Sequence, residues 1–379
     1  MNIDLEFRHN QLLLNPRLPR ESIDRFETAW RELVEPRYIN HVGLATSGST
    51  GDSIGRLILL SKEAVESSAR AVNERFASGP HDVWFKSLPS FHVGGLGILV
   101  RARLSGARVY EDVSDKWKVH DFFDQLVSSR ATLISLVPTQ VFDLVQAQLK
   151  APSSVRAVIV GGGRLEDSLR LRAKDLGWPC LPSYGMTETC SQIATALSID
   201  DSRLTLLSHT EARTTADGRL EVKGSSLLSG QIIFTPGGYA SGELNVHVTA
   251  HATDPKINGW FVTDDRATVQ GRVLTIEGRT SDFVKIGGEG VVVARLEERL
   301  EHEKLHLQFT KDAAILVAQD ERLGAKLILM STASVAETTH LVEQFNKGVA
   351  PFERLREIKY VTEIPRSPLG KLLRAAALE

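Results

Sequence analysis

Cysteine is scarce in this chain: Cys180 and Cys190 are the two present in 379 residues. Two thiols exclude a disulfide framework and a four-cysteine metal site, and they fit a reducing compartment. Charge of one sign is lacking as well, because 45 Lys and Arg stand against 47 Asp and Glu, a net charge of −2. Without a positive excess to meet phosphodiesters, the chain does not read as a generic nucleic-acid binder. No apolar run approaches the roughly 18 residues that span a bilayer. The first ten residues carry Asp4, Glu6 and Arg8 where a signal peptide needs a basic start and an apolar stretch. The expectation is a cytoplasmic protein with no stable membrane insertion. Internal repeats and low-complexity tracts are missing too. What is there is 42% hydrophobic and 24% charged, which places the chain among folded globular proteins rather than disordered ones. The length allows two or three domains and a core that needs no covalent staples.

Periodicity organises most of the sequence. Residues 21–35 (ESIDRFETAWRELVE) have helical spacing. HVGLAT leads into a Gly/Ser/Thr loop, RLILLS reads as a strand and KEAVESSARAVNERF as a helix. DVWFKS, ARVY, ATLISLVP and VRAVIV read as strands, alternating with helices in LGILVRARLSG, DFFDQLVSSR and TQVFDLVQAQL. Such alternation predicts α/β units around largely parallel strands. From about residue 200 short alternating segments (RLEVKG, QIIFT, ELNVHVTA) predict antiparallel β structure, with a hairpin turning near Gln270-Gly271. After Arg279 the α/β pattern returns in RLEERLEHEKL, AAILVA, KLILMS and HLVEQFNKG. The expected organisation is a large N-terminal domain over 1–278, with mixed and parallel sheets, helices and a β-rich subdomain. A linker at 279–282 and a small α+β C-terminal domain over 283–379 follow.

Several short motifs carry chemistry. Thr46-Ser47-Gly48-Ser49-Thr50-Gly51 offers hydroxyls and glycine N–H groups that can surround phosphate oxygens; a flexible linker is the ordinary alternative. It is not the lysine-bearing P-loop, because Ser49 stands where that loop needs Lys. Gly51-Asp52-Ser53-Ile54-Gly55 matches the serine-hydrolase pattern, but that pattern needs a helix directly after the serine, and RLILLS reads as a strand. His302-Glu303-Lys304-Leu305-His306 matches a zinc-binding spacing on a helix, in a segment whose charges equally describe a solvated face. His247 and His251 are four apart on a strand, too distant for one metal. Ser183-Tyr184-Gly185-Met186-Thr187-Glu188-Thr189 puts a carboxylate among hydroxyls, a set that suits Mg²⁺ against phosphate. The same residues read as a helix start, with Thr187 as cap and Glu188 in the first turn. Lys371 follows Pro365-Arg366-Ser367-Pro368-Leu369-Gly370, as a loop-borne cation or a solvated tail charge.

Six segments in one order, TSGSTG at 46–51, SLPSFHVGG at 87–95, SYGMTET at 183–189, GWFVTDD at 259–265, GRTSDFVKIGGEGV at 278–291 and PRSPLGKLLR at 365–374, resemble the acyl-adenylate-forming (AMP-binding) superfamily. That superfamily holds acyl-CoA synthetases, peptide-synthetase adenylation domains and luciferases. With SLVPTQ at 135–140 and YGMTETCSQ at 184–192, the sequence looks most similar to the o-succinylbenzoate–CoA ligase branch of menaquinone biosynthesis. Some 45 residues precede the phosphate loop, whereas relatives have well over 100, so the resemblance implies a missing first subdomain.

The resemblance implies an AMP-forming acid–thiol ligase: acid plus ATP gives acyl-AMP and pyrophosphate, then CoA displaces AMP. Mg²⁺ is the implied metal, and CoA the co-substrate. Thr46, Ser47, Gly48, Ser49, Thr50 and Gly51 would hold the β- and γ-phosphates. Gly161, Gly162 and Gly163 would line the adenine and acyl pockets, Tyr184 and Gly185 would lie along the adenine, and Thr187 would contact phosphate. Glu188 would bind Mg²⁺. Asp265 would accept the ribose hydroxyls, supported by Arg279. His92 would sit near the acyl carboxylate, and Gly95, Ser183 and Met186 would help form the acid pocket. Lys371 would bridge the attacking carboxylate and the α-phosphate. The small domain would rotate between half-reactions, withdrawing Lys371 and presenting Lys285, Gly287 and Gly288 to CoA.

The sequence departs from the family pattern at four places. The loop continues Asp52-Ser53-Ile54-Gly55-Arg56 where Pro-Lys is usual, leaving Arg56 to supply the cation. Asp264 adds an acid beside Asp265, Ser281 replaces the hinge Asp, and Arg295-Leu296-Glu297 replaces E-I-E. Three alternatives stay open: a synthetase for another aryl or acyl acid, a relative that binds nucleotide or acyl ligand without turnover, and a serine hydrolase using Ser53. A homodimer also stays open.

Overall fold

The computed structural model describes residues 3–18, 20–46, 55–112, 116–236, 248–279, 283–286, 289–320, 322–366 and 372. The chain forms two compact units. One comprises Met1–Arg213, Glu221–Val262 and Val269–Leu274; the other comprises Thr214–Leu220, Thr263–Thr268 and Thr275–Glu379. Both mix α and β structure, as the alternating sequence pattern predicts.

The first unit opens with β1 (Gln11–Leu13), α1 (Arg20–Ala29), β2 (His41–Thr46), β3 (Gly55–Ser61) and α2 (Lys62–Phe76). The helical pattern expected over 21–35 is α only to Ala29; Trp30–Val34 is a π-helical turn. Buried Trp30 lies on Gly43, where a Cβ would collide with its ring. Helix α2 follows the sequence pattern closely. The Ser61 hydroxyl accepts a hydrogen bond from Ala64 N (3.1 Å), satisfying an otherwise orphaned donor. Val65, Ala69, Val72 and Phe76 make its buried face.

The next stretch alternates strand and helix: β4 (Val83–Lys86), α3 (Val93–Ser105), β5 (Arg108–Glu111), α4 (Val119–Ser129), β6 (Leu133–Leu136), α5 (Pro138–Gln146), β7 (Ala157–Val160), α6 (Asp167–Asp175) and β8 (Cys180–Met186). These strands lie in the order β8-β7-β6-β4-β5, all parallel. LISL and AVIV are buried throughout, Ser135 included, as strands covered on both faces must be. Phe85, Phe122, Ile134, Leu136, Val158 and Trp178 are among their shared core. β9 (Ser191–Ser198) and β10 (Asp201–Leu206) extend this sheet antiparallel beyond β8. After β11 (Thr210–Thr214) and β12 (Arg219–Gly224), strands β13 (Gly230–Pro236) and β14 (Val248–Thr253) complete a separate sheet, ordered β1-β2-β3-β13-β14.

Strand β15 (Phe261–Gln270) and β16 (Val273–Arg279) flank the expected turn, where Gly271 adopts φ +60°. The second unit continues with hairpin β17 (Phe283–Ile286) and β18 (Glu289–Val292), α7 (Val293–His306), β19 (Ala313–Asp320), β20 (Gly324–Ser331), α8 (Val335–Lys347) and β21 (Leu355–Tyr360). β19 and β20 are antiparallel, and β20 and β21 parallel. Ile286, Leu296, Leu300, Ile315, Leu327 and Phe345 are among its core.

Among the described residues, no helix is long and apolar enough to cross a membrane.

Candidate active site

Three of the sequence motifs converge because of topology. In an open α/β sheet, ligands bind beyond the carboxyl ends of the parallel strands, where loops from different strands meet. Here β4 runs out into the segment containing His92, β7 into Gly161-Gly162-Gly163, and β8 into Thr187-Glu188-Thr189. The glycines pack closely against neighbouring strand ends. A Cβ on Gly161 would stand 3.0 Å from Ser183 Oγ, and Gly162 adopts φ +76°. Ser183 in turn donates to Val160 O (3.0 Å).

Glu188 is held by a reversal of the chain. The helix start expected at Thr187 does not form: Thr187–Thr189 is a single 3-10 turn, and the chain then enters β9. Buried Thr189 explains this. Its hydroxyl accepts from Met186 N (3.1 Å) and faces the carbonyls of Met186 and Ser191 at 3.1 and 2.8 Å. Cys190 then takes φ 53° and turns the chain back. Thr187 is therefore not a cap; its carbonyl accepts from Cys190 N (3.1 Å). Gly185 sits so close to the returning strand that a Cβ would collide with the Ser191 carbonyl. The ladder shifts register between Tyr184 and Gly185 at this point.

Facing Glu188 is Arg56. Nη1 of Arg56 is 3.8 Å from Oε1 of Glu188, and the side chains are only 18% and 12% exposed. Arg56 sits on β3 between β2 and β13, opposite Thr46 on one side and Ile233 on the other. Thr46 Oγ1 and Arg56 Nε are both buried without a hydrogen-bond partner among the described residues. A buried polar atom without a partner is satisfied when a ligand or water binds to it. A carboxylate, a hydroxyl and a guanidinium are hard oxygen donors plus a cation, a set that fits Mg²⁺ and a polyphosphate. Ser47, Gly48, Ser49, Thr50 and Gly51 lie outside the described residues.

His92 caps α3 from an extended conformation and packs on Phe91, with ring centroids 4.7 Å apart. Burial pushes its pKa below the usual histidine value, so it is neutral at neutral pH. Gly95, one turn into α3, lies where a Cβ would strike the Pro89 and Leu88 carbonyls.

Sequence reasoning passed over Arg101. Fully buried on α3, it donates to Ser191 Oγ (3.2 Å) and lies over the Trp84 ring. No carboxylate pairs with it among the described residues, and burial lowers its pKa to about 10. An arginine at helical spacing among apolar neighbours in ILVRARL was the available signal.

Asp265 and Arg279 belong to the second unit, and the structure brings them together: Arg279 Nε is 3.6 Å from Asp265 Oδ1. Asp264, expected to crowd Asp265, is exposed while Asp265 is partly buried, because consecutive strand residues point to opposite faces. Lys285 lies on β17, its side chain outside what the structure describes. Gly287, Gly288 and Lys371 lie outside the described residues.

The remaining motifs are described only in part. Ser53 lies outside the described residues, but the strand β3 follows it, not the helix a nucleophile elbow requires. His302, Glu303 and His306 lie on α7, where Glu303 accepts from Arg299 (2.8 Å). His251 is on β14 opposite Ile233, and His247 lies outside the described residues.

Comparisons with known proteins bear on the family and the fold. Residues 44–222 match the family model for AMP-binding enzymes. The 2-succinylbenzoate–CoA ligase of Enterococcus faecalis is 26% identical over 354 residues, 90% of this chain and 70% of that protein. Its Bacillus subtilis counterpart is 27% identical over 337 residues, 87% and 66% respectively. The chain thus spans about two thirds of the length of these relatives. Among solved structures, o-succinylbenzoate CoA synthetase from Bacillus subtilis with its acyl-adenylate intermediate superposes with a TM-score of 0.75. That match has 23% identity and covers 96% of this chain and 77% of the other. The same enzyme with ATP and magnesium ion gives 0.74 at 22% identity, covering 100% and 82%. These structures share the fold of this chain.

Proposed function

We propose that this chain, whose residues 44–222 match the family model for AMP-binding enzymes, is an ATP-dependent, AMP-forming acid–CoA ligase whose acid is o-succinylbenzoate. One observation carries the reading: Glu188 and Arg56 face each other beside the orphaned Thr46 hydroxyl, at the base of the loop that would hold the phosphates.

In the first half-reaction a carboxylate oxygen of the acid attacks the α-phosphorus, and the bond to pyrophosphate breaks. Both reactants are anionic, so cations must sit where negative charge accumulates. Arg56 does so at the loop base, and Lys371 does so between the attacking carboxylate and the α-phosphate. Thr46 and Thr187 hold phosphate oxygens by hydroxyl, while Glu188 holds Mg²⁺, which neutralises phosphate charge when bound. Gly161, Gly162, Gly163, Tyr184 and Gly185 form the adenine side, and Asp265 with Arg279 takes the ribose hydroxyls. Ser183, Met186 and Gly95 border the acid. In the second half-reaction the CoA sulfur attacks the acyl carbonyl and AMP leaves. Neutral His92 is suited to accept the thiol proton, because burial keeps its imidazole unprotonated. A hinge at 279–282 alternates Lys371 with the face carrying Lys285, Gly287 and Gly288.

Arg101 favours the dicarboxylic substrate over monoanionic acids. An unpaired buried guanidinium is costly, and this one reaches Ser191, the ladder partner of Met186. A second carboxylate on the acid would match that charge. The test is pyrophosphate release with ATP, Mg²⁺ and o-succinylbenzoate, with and without CoA, beside a panel of aryl and fatty acids. Release with o-succinylbenzoate, plus a thioester when CoA is added, is the expected result. Release only with another acid would keep the reaction and discard the substrate.

A further inference from the structure

Arg56 is the ion-pair partner of Glu188 and lies at the start of β3, ten residues after Thr46 in the sequence. The contact between them is an ion pair without a hydrogen bond: Nη1 and Oε1 are 3.8 Å apart. Arg56 Nε is buried and has no hydrogen-bond partner among the described residues. Both backbones are anchored. β3 is laddered on both sides at Arg56, and the Glu188 carbonyl accepts from Leu228 N (2.8 Å). A mostly buried carboxylate needs a counter-charge whenever no metal is bound. A mostly buried guanidinium likewise needs an anion once that carboxylate is taken. The loop itself carries Asp52 and no lysine, so Arg56 is the cation that the sequence supplies next to it.

We propose that Arg56 is the resident counter-ion of Glu188, and that binding of a metal–nucleoside triphosphate exchanges the partners. Glu188 passes from the guanidinium to the divalent cation, and the guanidinium passes from Glu188 to the phosphate oxygens. No covalent bond changes, and the charges stay balanced before and after. The inference rests on the nucleotide-binding reading of this site and adds a consequence to it. A metal ion without nucleotide must displace Arg56 and leave it unmatched, so it binds weakly. A metal that arrives with a triphosphate gives both side chains a partner, so the two ligands reinforce each other.

The experiment is direct binding on the full chain, without acid or CoA. Mn²⁺ alone is followed by electron paramagnetic resonance, and Mg²⁺-ATP by calorimetry, for wild type, Arg56→Gln, Arg56→Lys, Glu188→Gln and the Arg56→Gln/Glu188→Gln double variant. Melting curves confirm that each is folded. Arg56→Gln is expected to bind Mn²⁺ alone roughly tenfold more tightly and Mg²⁺-ATP roughly tenfold or more weakly, the effect of one charge-assisted contact. Arg56→Lys should stay near wild type in both, and the Mn²⁺ gain should vanish in the double variant. If Arg56→Gln leaves either affinity unchanged while the wild type binds Mg²⁺-ATP, the exchange is wrong and the ligase reading stands. A folded wild type that does not bind Mg²⁺-ATP overturns both.

Discussion

Thr46 and Arg56 face each other in register across β2 and β3, and each keeps one buried polar atom without a partner among the described residues. Such atoms cost free energy in the folded protein unless a ligand answers them. Thr46→Val keeps the shape and removes the orphaned hydroxyl. We expect it to raise unfolding stability by about 1 kcal/mol and to weaken Mg²⁺-ATP binding several-fold. Denaturant unfolding and calorimetry on one preparation would check both signs. A variant that loses stability would show that the hydroxyl has a structural partner.

Gly185 tests how tightly the Glu188 turn is held. A Cβ there meets the Ser191 backbone, not a flexible side-chain tip, so the strand pair must open. Gly185→Ala should destabilise by about 2 kcal/mol and weaken nucleotide binding by moving Glu188. Gly271→Ala is the comparison. Nothing lies within 4 Å of its added Cβ, and only the φ of +60° opposes it, so about 1 kcal/mol is expected with nucleotide binding intact.

His209 gives the molecule an acid-sensitive point away from the turn. Both ring nitrogens are buried without partners, and burial pushes the pKa down to about 4. The unfolded chain takes up this proton near pH 6.5, the folded one only near pH 4. The contribution is therefore complete above pH 6.5 and is lost as pH falls from 6.5 toward 4. Between pH 7 and 4.5 it amounts to about 2 kcal/mol. His209→Leu should flatten that part of the stability profile in denaturant titrations at the two pH values; an unchanged slope would show that His209 is accessible to water.

In the proposed mechanism Lys371 acts in the first half-reaction alone. Lys371→Ala should lower adenylate formation roughly hundredfold or more, the scale of removing a charge-stabilising group, while its melting temperature stays unchanged. Thioester formation from added acyl-AMP should persist, because the proposed second step does not use the lysine. Equal loss in both halves would assign Lys371 a binding role instead.

Local rules carried the sequence a long way. Helix α2 was readable because Ser61, an apolar stripe and a polar face all state the same helix between Lys62 and Phe76. The buried strands of the parallel sheet were readable because a strand covered on both faces has no reason to alternate. Thr46 and Glu188 stood out as candidates through residue type and spacing, whereas Asp265 entered only through the family resemblance.

The sequence by itself determined where most helices and strands lie, since periodicity and caps act within a few residues of one another. Tertiary structure decided the rest. It turned the segment after Glu188 into a strand, because Thr189 and Gly185 are governed by the returning chain at Ser191. It buried Arg101 with a hydroxyl in place of an acid. It set Arg56, from one sheet, against Glu188, from the end of another. No local pattern encodes such pairs, because their energies depend on burial and distance between segments far apart in the chain, and those exist only once the sheets have formed.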